Sequence, residues 1–471
     1  MKNVTYRWNT FQLYDYRGVE EHLSAMAAQG WRLEKAGNTF WKYRRADPAP
    51  VRYAVTYNAG ASQFNPGPTE GQESLEELCN AAGWTKACDW FQMQIFSTED
   101  PAAVPLETDE ALRLQNIHRS MRKNFLPANL VLLLIGLWMS SSLVYSLVSG
   151  NILRLFSSNA HLFSGALFLL VVLLELYTLL HYYHWRKQSR RSIEEGGTCV
   201  PINTRAYQRL NRSGLVLMGI VSALYLLAEL LGGGRGYALF FLAYILQFIL
   251  LVFLVRRTTA ALRKRKASKG VNMAVTLAVD FILAFALIGG LTFCAIRFGW
   301  FSGGSGETYT YQNVEFDVHP REDVPLTLSD LTGEPYEHVR RSCRREGSIL
   351  LPEWSYWETA LENGPEEDGW PGSLHLSYTV YIPRFQWFYD DVAEELLEDA
   401  VPRSSYGIGY AYVSEDPAPW GAEAVYRRWL DGSPINSWFL CFPDRITSLS
   451  MDWEPTAREK ALIQSRLGSE T

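Results

Sequence analysis

The run FLPANLVLLLIGLWMSSSLVYSLV, Phe125–Val148, decides the architecture of this chain. A helix rises about 1.5 Å per residue, so about 20 apolar residues cross a hydrocarbon core of ~30 Å. Four further runs have the same character: Leu162–Tyr183, Gly214–Leu231, Tyr237–Val255 and Val271–Ile296. The sequence therefore predicts a multi-domain membrane protein, with a five-helix transmembrane α-bundle over 125–298 and a polar region at each end.

Charge near the helix ends orients the bundle, because cytoplasmic flanks carry an excess of Lys and Arg. Arg113, Arg119, Arg122 and Lys123 precede the first run. Arg186, Lys187, Arg190, Arg191, Arg205, Arg209 and Arg212 fill the second loop, and Arg256, Arg257, Arg263, Lys264, Arg265, Lys266 and Lys269 the fourth. The first loop carries only Arg154 and the third only Arg235. All five helices agree on a cytoplasmic N-terminus and an extracytoplasmic C-terminus. The lipid bilayer is then the partner of the basic loops, and direct nucleic-acid binding is not expected. Met1–Gly30 has no apolar core of a cleavable leader, so the first helix is expected to act as the insertion signal.

The formal net charge of −6 conceals a division. From Arg297 onward there are 14 basic and 30 acidic residues, a net −16, and the remainder stands at +10. Of six cysteines only Cys343 and Cys441 fall on the outer side, where a disulfide between them could persist. No Cys/His spacing suits zinc, and no cofactor motif occurs.

Residues 1–98 read as one β-α-β-β unit written twice, an α+β domain of ferredoxin-like type with a single antiparallel sheet. Strand Val4–Phe11 leads to helix Gly18–Gln29, and a hairpin spans Trp31–Ala36 and Thr39–Arg45. Strand Val51–Asn58, helix Leu75–Ala82 with a Ser74/Glu77 capping box, and strands Trp84–Cys88 and Phe91–Ser97 repeat the order. Gly30-Trp31 and Gly83-Trp84 each end a helix, glycine taking the left-handed position. Trp31, Trp41, Trp84 and Trp90 are candidates for a cytoplasmic interaction surface, against the alternative that, with Trp8, they pack a core. His22 reads as a solvated helix residue.

The run Tyr14-Asp15-Tyr16-Arg17-Gly18-Val19-Glu20, followed by Met26-Ala27-Ala28-Gln29-Gly30-Trp31-Arg32-Leu33, resembles the start of domain of unknown function family 2812. Phe40-Trp41-Lys42-Tyr43, Ala82-Gly83-Trp84 and Trp90-Phe91-Gln92 continue the likeness, over residues 4–98. The resemblance implies a cytoplasmic module on a Firmicute-type bacterial plasma-membrane protein. It also implies a partner such as a PadR-type transcription regulator, and a role in envelope signalling. It brings no catalytic residues. Residues 99–124 form a connector, with a helix over Thr108–Lys123 capped by Thr108 and presenting Leu114, Ile117 and Met121 on one face.

Within the apolar runs, Glu175, Gln247 and Asp280 fall at similar depth in the inner half of the second, fourth and fifth helices, and Glu229 lies near the outer surface. Intramembrane carboxyls face the bundle, pair or protonate. The trio is either a site for a proton, cation or lipid headgroup, or an interhelical hydrogen-bond clamp. The first reading makes the protein a transport or lipid-handling accessory.

After a linker at 299–306, residues 307–471 form an acidic domain of α+β class, with eight tryptophans and a ninth, Trp300, in the linker. Strands are expected at Leu374–Pro383, Ala424–Leu430, Ser437–Phe442 and Ile446–Trp453, and helices at Trp387–Ala400 and Pro455–Leu467, with Pro455 in the first turn. Carboxylates such as Glu353/Glu358 or Asp390/Asp391 would be the pairs of an extracytoplasmic hydrolase, but no motif supports them. The leading expectation is non-enzymatic: an outer domain coupled to a cytoplasmic protein-binding module. Alkaline phosphatase fused within 149–161, within 232–236 or at the C-terminus should be active, and fusions within 186–212 or 256–269 silent. The opposite pattern would invert the topology.

Overall fold

Both glycine–tryptophan junctions turn the chain as expected: Gly30 has φ +79° and Gly83 φ +82°. The computed structural model describes residues 3–8, 11–37, 40–156, 158–231, 235–298, 300, 308–311, 314–317, 324–336, 339–367, 370–398 and 410–468. The chain divides into two compact units. One comprises Met1–Met139, Leu167–Ile220 and Tyr244–Gly290; the other comprises Ser140–Ala166, Val221–Ala243 and Leu291–Thr471.

In the first unit, β1 (Val4–Trp8), α1 (Tyr16–Ala28), β2 (Trp31–Lys35) and β3 (Phe40–Arg45) are followed by β4 (Arg52–Tyr57), α2 (Glu70–Ala81), β5 (Thr85–Trp90) and β6 (Met93–Thr98). The strands form two three-stranded antiparallel sheets, ordered β1-β3-β2 and β4-β6-β5, where one sheet was expected. Helix α2 starts a turn before its expected place. Its capping box is Thr69 with Gln72, because Thr69 sits in extended backbone after Pro68, which puts Ser74 inside the helix.

One hydrophobic core serves both sheets. It joins Val19 and Leu23 of α1 to Trp41 and Tyr43 of β3, Val55 of β4 and Met93 and Ile95 of β6. Trp41, Trp84 and Trp90 are all buried, so they face the interior and not an exterior interaction surface. Trp31 is half-buried under the Arg45 guanidinium, 5.1 Å from its ring centre. His22 is not solvated either: its ring meets the Tyr43 hydroxyl at 3.0 Å and packs against Phe11 and Trp41.

Helix α3 (Glu110–Lys123) is capped by Asp109, not Thr108; its carboxylate accepts from the amides of Ala111 (2.9 Å) and Leu112 (3.0 Å). Ile117 and Met121 are fully buried in the core just described, and Leu114 packs beside them. Then come α4 (Phe125–Ser149), the short α5 (Ile152–Leu155), α6 (Asn159–Glu194), α7 (Thr204–Leu231), α8 (Arg235–Lys264) and α9 (Lys269–Arg297). The five long ones are long and apolar enough to cross a membrane. They outrun the apolar runs at their polar ends, so Arg186–Arg191 and Arg256–Lys264 lie on helical turns rather than in loops. Arg, Lys and Gln favour helix, and hydrocarbon is not needed to continue the backbone bonds. Only 6% of the apolar window of α8, and of α9, is buried inside the protein. A soluble monomer rarely exposes so much continuous apolar surface, which suggests a multi-pass membrane protein.

The second unit holds β7 (Thr308–Tyr311), β8 (Val314–Asp317), α10 (Leu328–Thr332), β9 (Val339–Gly347), β10 (Pro352–Glu367), β11 (Trp370–Tyr381), α11 (Gln386–Glu398), β12 (Tyr410–Glu415), β13 (Ala424–Leu430), β14 (Ser433–Cys441), β15 (Ile446–Met451) and α12 (Ala457–Leu467). Seven strands make one antiparallel sheet, β12-β13-β14-β15-β11-β10-β9. Its two faces enter two cores. Trp438 and Leu440 of β14 pack with Ile463 and Leu467 of α12, while Phe439 and Cys441 pack with Phe388 and Val392 of α11. Helix α12 is capped by Thr456 with Glu459, and Pro455 stands before the cap. The expected linker at 299–306 lies, apart from Trp300, outside the described residues.

Cys343 lies on β9 and Cys441 on β14, with no disulfide between them. Four strand spacings separate β9 from β14, or about 19 Å, so this fold does not bridge them. Glu358, fully buried, accepts from the Leu328 amide (2.7 Å), the Tyr356 hydroxyl (2.8 Å) and the Arg341 guanidinium (2.8 Å). Its hydrogen-bond capacity is spent on holding α10 and β9, not on chemistry. Removing one partner of such a set costs about 3–5 kcal/mol. Glu358→Ala should therefore lower the unfolding temperature of the purified protein markedly, and Glu358→Gln less. An unchanged melting curve for the alanine variant would contradict this role.

Candidate functional site

The site grows from Gln12 through Tyr16, a stretch with no apolar alternation that is nonetheless buried throughout. Asp15 caps α1 by accepting from the Gly18 amide at 3.0 Å. Its second oxygen accepts from the Thr204 hydroxyl at 2.5 Å, at the N-terminal end of α7. The Tyr14 hydroxyl meets Nδ1 of His181 at 2.8 Å. Its ring stands edge-on to Tyr182 (4.9 Å) and Phe125 (5.8 Å), and tilts against Trp185 at 4.9 Å. Tyr16 lies under the Arg113 guanidinium, 5.0 Å from the ring centre. Arg113 pairs with Glu110 and, at 3.1 Å, with Glu107. Glu110 in turn accepts from the Cys199 amide at 3.0 Å, on the segment joining α6 to α7. The N-terminal sheets, α3, α6 and α7 thus meet on three consecutive side chains.

Burial perturbs the ionisable groups here. It raises the Asp15 carboxyl, with the Thr204 and Gly18 bonds opposing, and it raises the hydroxyls of Tyr14 and Tyr57. Tyr16 is pushed up to about 12. Glu20 accepts from the Val55 amide at 2.8 Å, yet burial lifts its carboxyl to about 7, with the Val55 bond, Arg113 and Arg17 opposing. His22 and His118 are lowered, again first by burial.

Beside this seam is a cavity of about 530 Å³. Phe11, Gln12, Trp90 and Phe91 border it from the sheet segments, and Asn124, Phe125, Ala128, Asn129 and Leu132 from the start of α4. Leu174, Glu175, Tyr177 and Thr178 of α6 and Tyr207, Asn211 and Met218 of α7 complete much of the wall. Three buried polar atoms on these residues have no hydrogen-bond partner: Nε2 of Gln12, Nε1 of Trp90 and Oε2 of Glu175.

Of the intramembrane trio, Glu175 borders the cavity, while Gln247 lies on α8 and Asp280 on α9, both half-buried. Among the described residues no hydrogen bond joins the three. Trp90, named with the other tryptophans, instead shares the cavity wall with Glu175, a partnership that sequence alone did not reveal. Gln12, Asn124, Asn129 and Tyr207 were missed; the one available signal was an amide two residues before Tyr14. Glu229 is buried in the second unit and hydrogen-bonds Asn159. No group of three or more His, Cys, Asp or Glu suited to a metal ion occurs among the described residues. Glu353 and Glu358 lie five apart on β10 and point to opposite faces, and Glu358 is fully engaged, which leaves that hydrolytic pair without support.

A sheet-bearing segment packed on α4, α6 and α7, in a chain with five helices long and apolar enough to cross a membrane, suggests a multi-pass membrane protein. Residues 15–128 match the model of the family described as a protein of unknown function (DUF2812). The match opens on Asp15, runs through the whole of α3 and ends on Ala128 in α4, thirty residues beyond the likeness read from the sequence. No curated protein and no solved structure matches the chain.

Glu20 supplies a test by pH. Its carboxyl sits at about 7 in the folded chain against an ordinary 4.5, so the folded state holds the proton more tightly. Its contribution to stability is full below the ordinary value and is lost as pH rises through about 7. Glu20→Gln should therefore stabilise the protein by about 1–3 kcal/mol at pH 8 and little at pH 4.5. Parallel melting curves for the two proteins across that range would contradict it.

Proposed function

We propose that this is a non-enzymatic, multi-pass protein of the bacterial plasma membrane that couples an extracytoplasmic domain to a cytoplasmic protein-binding module. The N-terminus is cytoplasmic and the C-terminus outside. The two β-α-β-β segments share element order and strand order, which supports reading the module as a duplicated, ferredoxin-like domain. Its partner is a soluble regulatory protein, in keeping with the family likeness.

The observation that carries the reading is the double grip on α6. Near its C-terminal end, His181, Tyr182 and Trp185 hold Tyr14 of the family motif. At its first residue, the Asn159 side chain accepts from the Ile349 amide at 2.8 Å in the C-terminal domain. Glu395 of α11 also accepts from the amides of Ile152 (2.6 Å) and Leu153 (3.0 Å), in the connection leading into α6. A helix held by a folded domain at each end can pass a displacement from one to the other. Such a relay requires that an outside ligand bind two arrangements with different affinity.

Crosslinking from residues 1–98 in living cells is expected to recover one specific protein. Glu395→Ala, which removes the acceptor for the Ile152 and Leu153 amides, should change that yield several-fold while leaving protein abundance constant. Recovery of no specific partner, or a yield indifferent to Glu395, would sink the relay. A second reading, an accessory in transport or lipid handling, is favoured by Glu175 in the cavity wall, and ion- or proton-dependent flux in vesicles would establish it.

A further inference from the structure

The cavity beside the Tyr14–Tyr16 seam has the composition of a ligand site. Its volume of about 530 Å³ falls in the range of small-molecule pockets. Among the described residues, Glu175 is the sole charged one along its wall, and no Lys, Arg or His borders it. Six aromatic side chains do: Phe11, Trp90, Phe91, Phe125, Tyr177 and Tyr207. Leu132, Leu174, Leu215 and Met218 supply aliphatic surface.

A buried polar atom without a partner costs about 1–3 kcal/mol, and more when charged. Here the wall residues carry three such atoms: the Glu175 oxygen, which accepts, and the Gln12 and Trp90 nitrogens, which donate. Gln12 is 2% exposed and Trp90 6%, so bulk solvent does not serve them. An anion would meet a carboxyl and no counter-charge. A metal ion would find one carboxylate and no second strong ligand. A positively charged nitrogen on an apolar body meets every condition, since carboxylate and aromatic faces both attract it. An oxygen next to that nitrogen would in addition accept from Gln12 and Trp90.

We propose that this cavity binds one amphipathic organic cation, its ammonium group held at Glu175 and its hydrocarbon body against Leu132, Leu174 and Met218. The proposal stands whether or not α6 relays anything, because it uses only the wall of one cavity. Two sources carry this chemistry: the aminoethyl headgroup of a membrane lipid, and a free amphipathic amine.

Native mass spectrometry of the full-length protein in detergent tests it, with dodecylamine as the cationic probe and dodecanol as its uncharged counterpart. Wild type is expected to take up dodecylamine to a single saturable adduct and dodecanol much more weakly. Glu175→Gln should weaken dodecylamine at least tenfold and leave dodecanol unchanged. Ala128→Trp, which adds bulk at an exposed wall position, should weaken it as well without touching the carboxyl. Displacement of the probe by lysophosphatidylethanolamine, but not by lysophosphatidylglycerol, would assign the site to lipid, and displacement by neither to a free amine. Equal uptake of dodecylamine and dodecanol by wild type would overturn the proposal. So would dodecylamine uptake unaltered in both variants when each melts like wild type.

Discussion

Asp15 is a carboxylate with 2% of its surface exposed and both oxygens engaged, one on the Gly18 amide that begins α1 and one on the Thr204 hydroxyl that begins α7. A buried carboxyl is tolerated only when it is hydrogen-bonded, so its position constrains both helices at once. Tyr14 and Tyr16 extend the constraint on either side, one to His181 and the aromatic end of α6, the other through Arg113 and Glu110 to Cys199. With the N-terminal sheets, α3, α6 and α7 tied to three adjacent residues, the cavity next to them acquires fixed walls. The family match, from Asp15 into α4, takes in Asp15, Tyr16, Glu110 and Arg113 of this arrangement but not Tyr14 or the partners on α6 and α7.

The second unit solves a different problem, a seven-stranded sheet whose edge must be protected. Strand β9 lies at the end of the order and reads VRRSCRREG. Its arginines lie over the tryptophans of its neighbour, Arg340 on Trp357 at 5.1 Å and Arg345 on Trp354 at 5.0 Å. Charge on an edge strand opposes pairing with another chain, and the long arginine stems cover aromatic surface. Two of the tryptophans of this domain are thus the floor on which the edge strand rests.

Legibility followed the range of the interaction. Strand β13 coincides with its expected limits at Ala424–Leu430, and α11 and β11 lie within a few residues of theirs, because alternation and periodicity are local. Strand β9 was missed since its arginines stack where apolar residues would normally alternate. The caps moved by one to five residues, from Thr108 to Asp109 and from Ser74 to Thr69, because several residues nearby have capping side chains and only backbone geometry selects among them. Three of the four candidate surface tryptophans turned out to be interior, as large apolar rings must be when a sheet is covered.

The sequence by itself determined the five apolar helices, the polar domains before and after them and the likeness of the first to a known family. Those properties depend on hydropathy, charge and short spacing along the chain. Only the tertiary structure decided that there are two small sheets rather than one, that Cys343 and Cys441 stand four strands apart, and that Gln12, Trp90, Asn124, Glu175 and Tyr207 share one cavity. These five residues are spread over five separate parts of the chain, and no local preference relates them. Their meeting follows from the packing of α6 and α7 against the motif at Tyr14–Tyr16, where buried polar groups can be satisfied in few other ways.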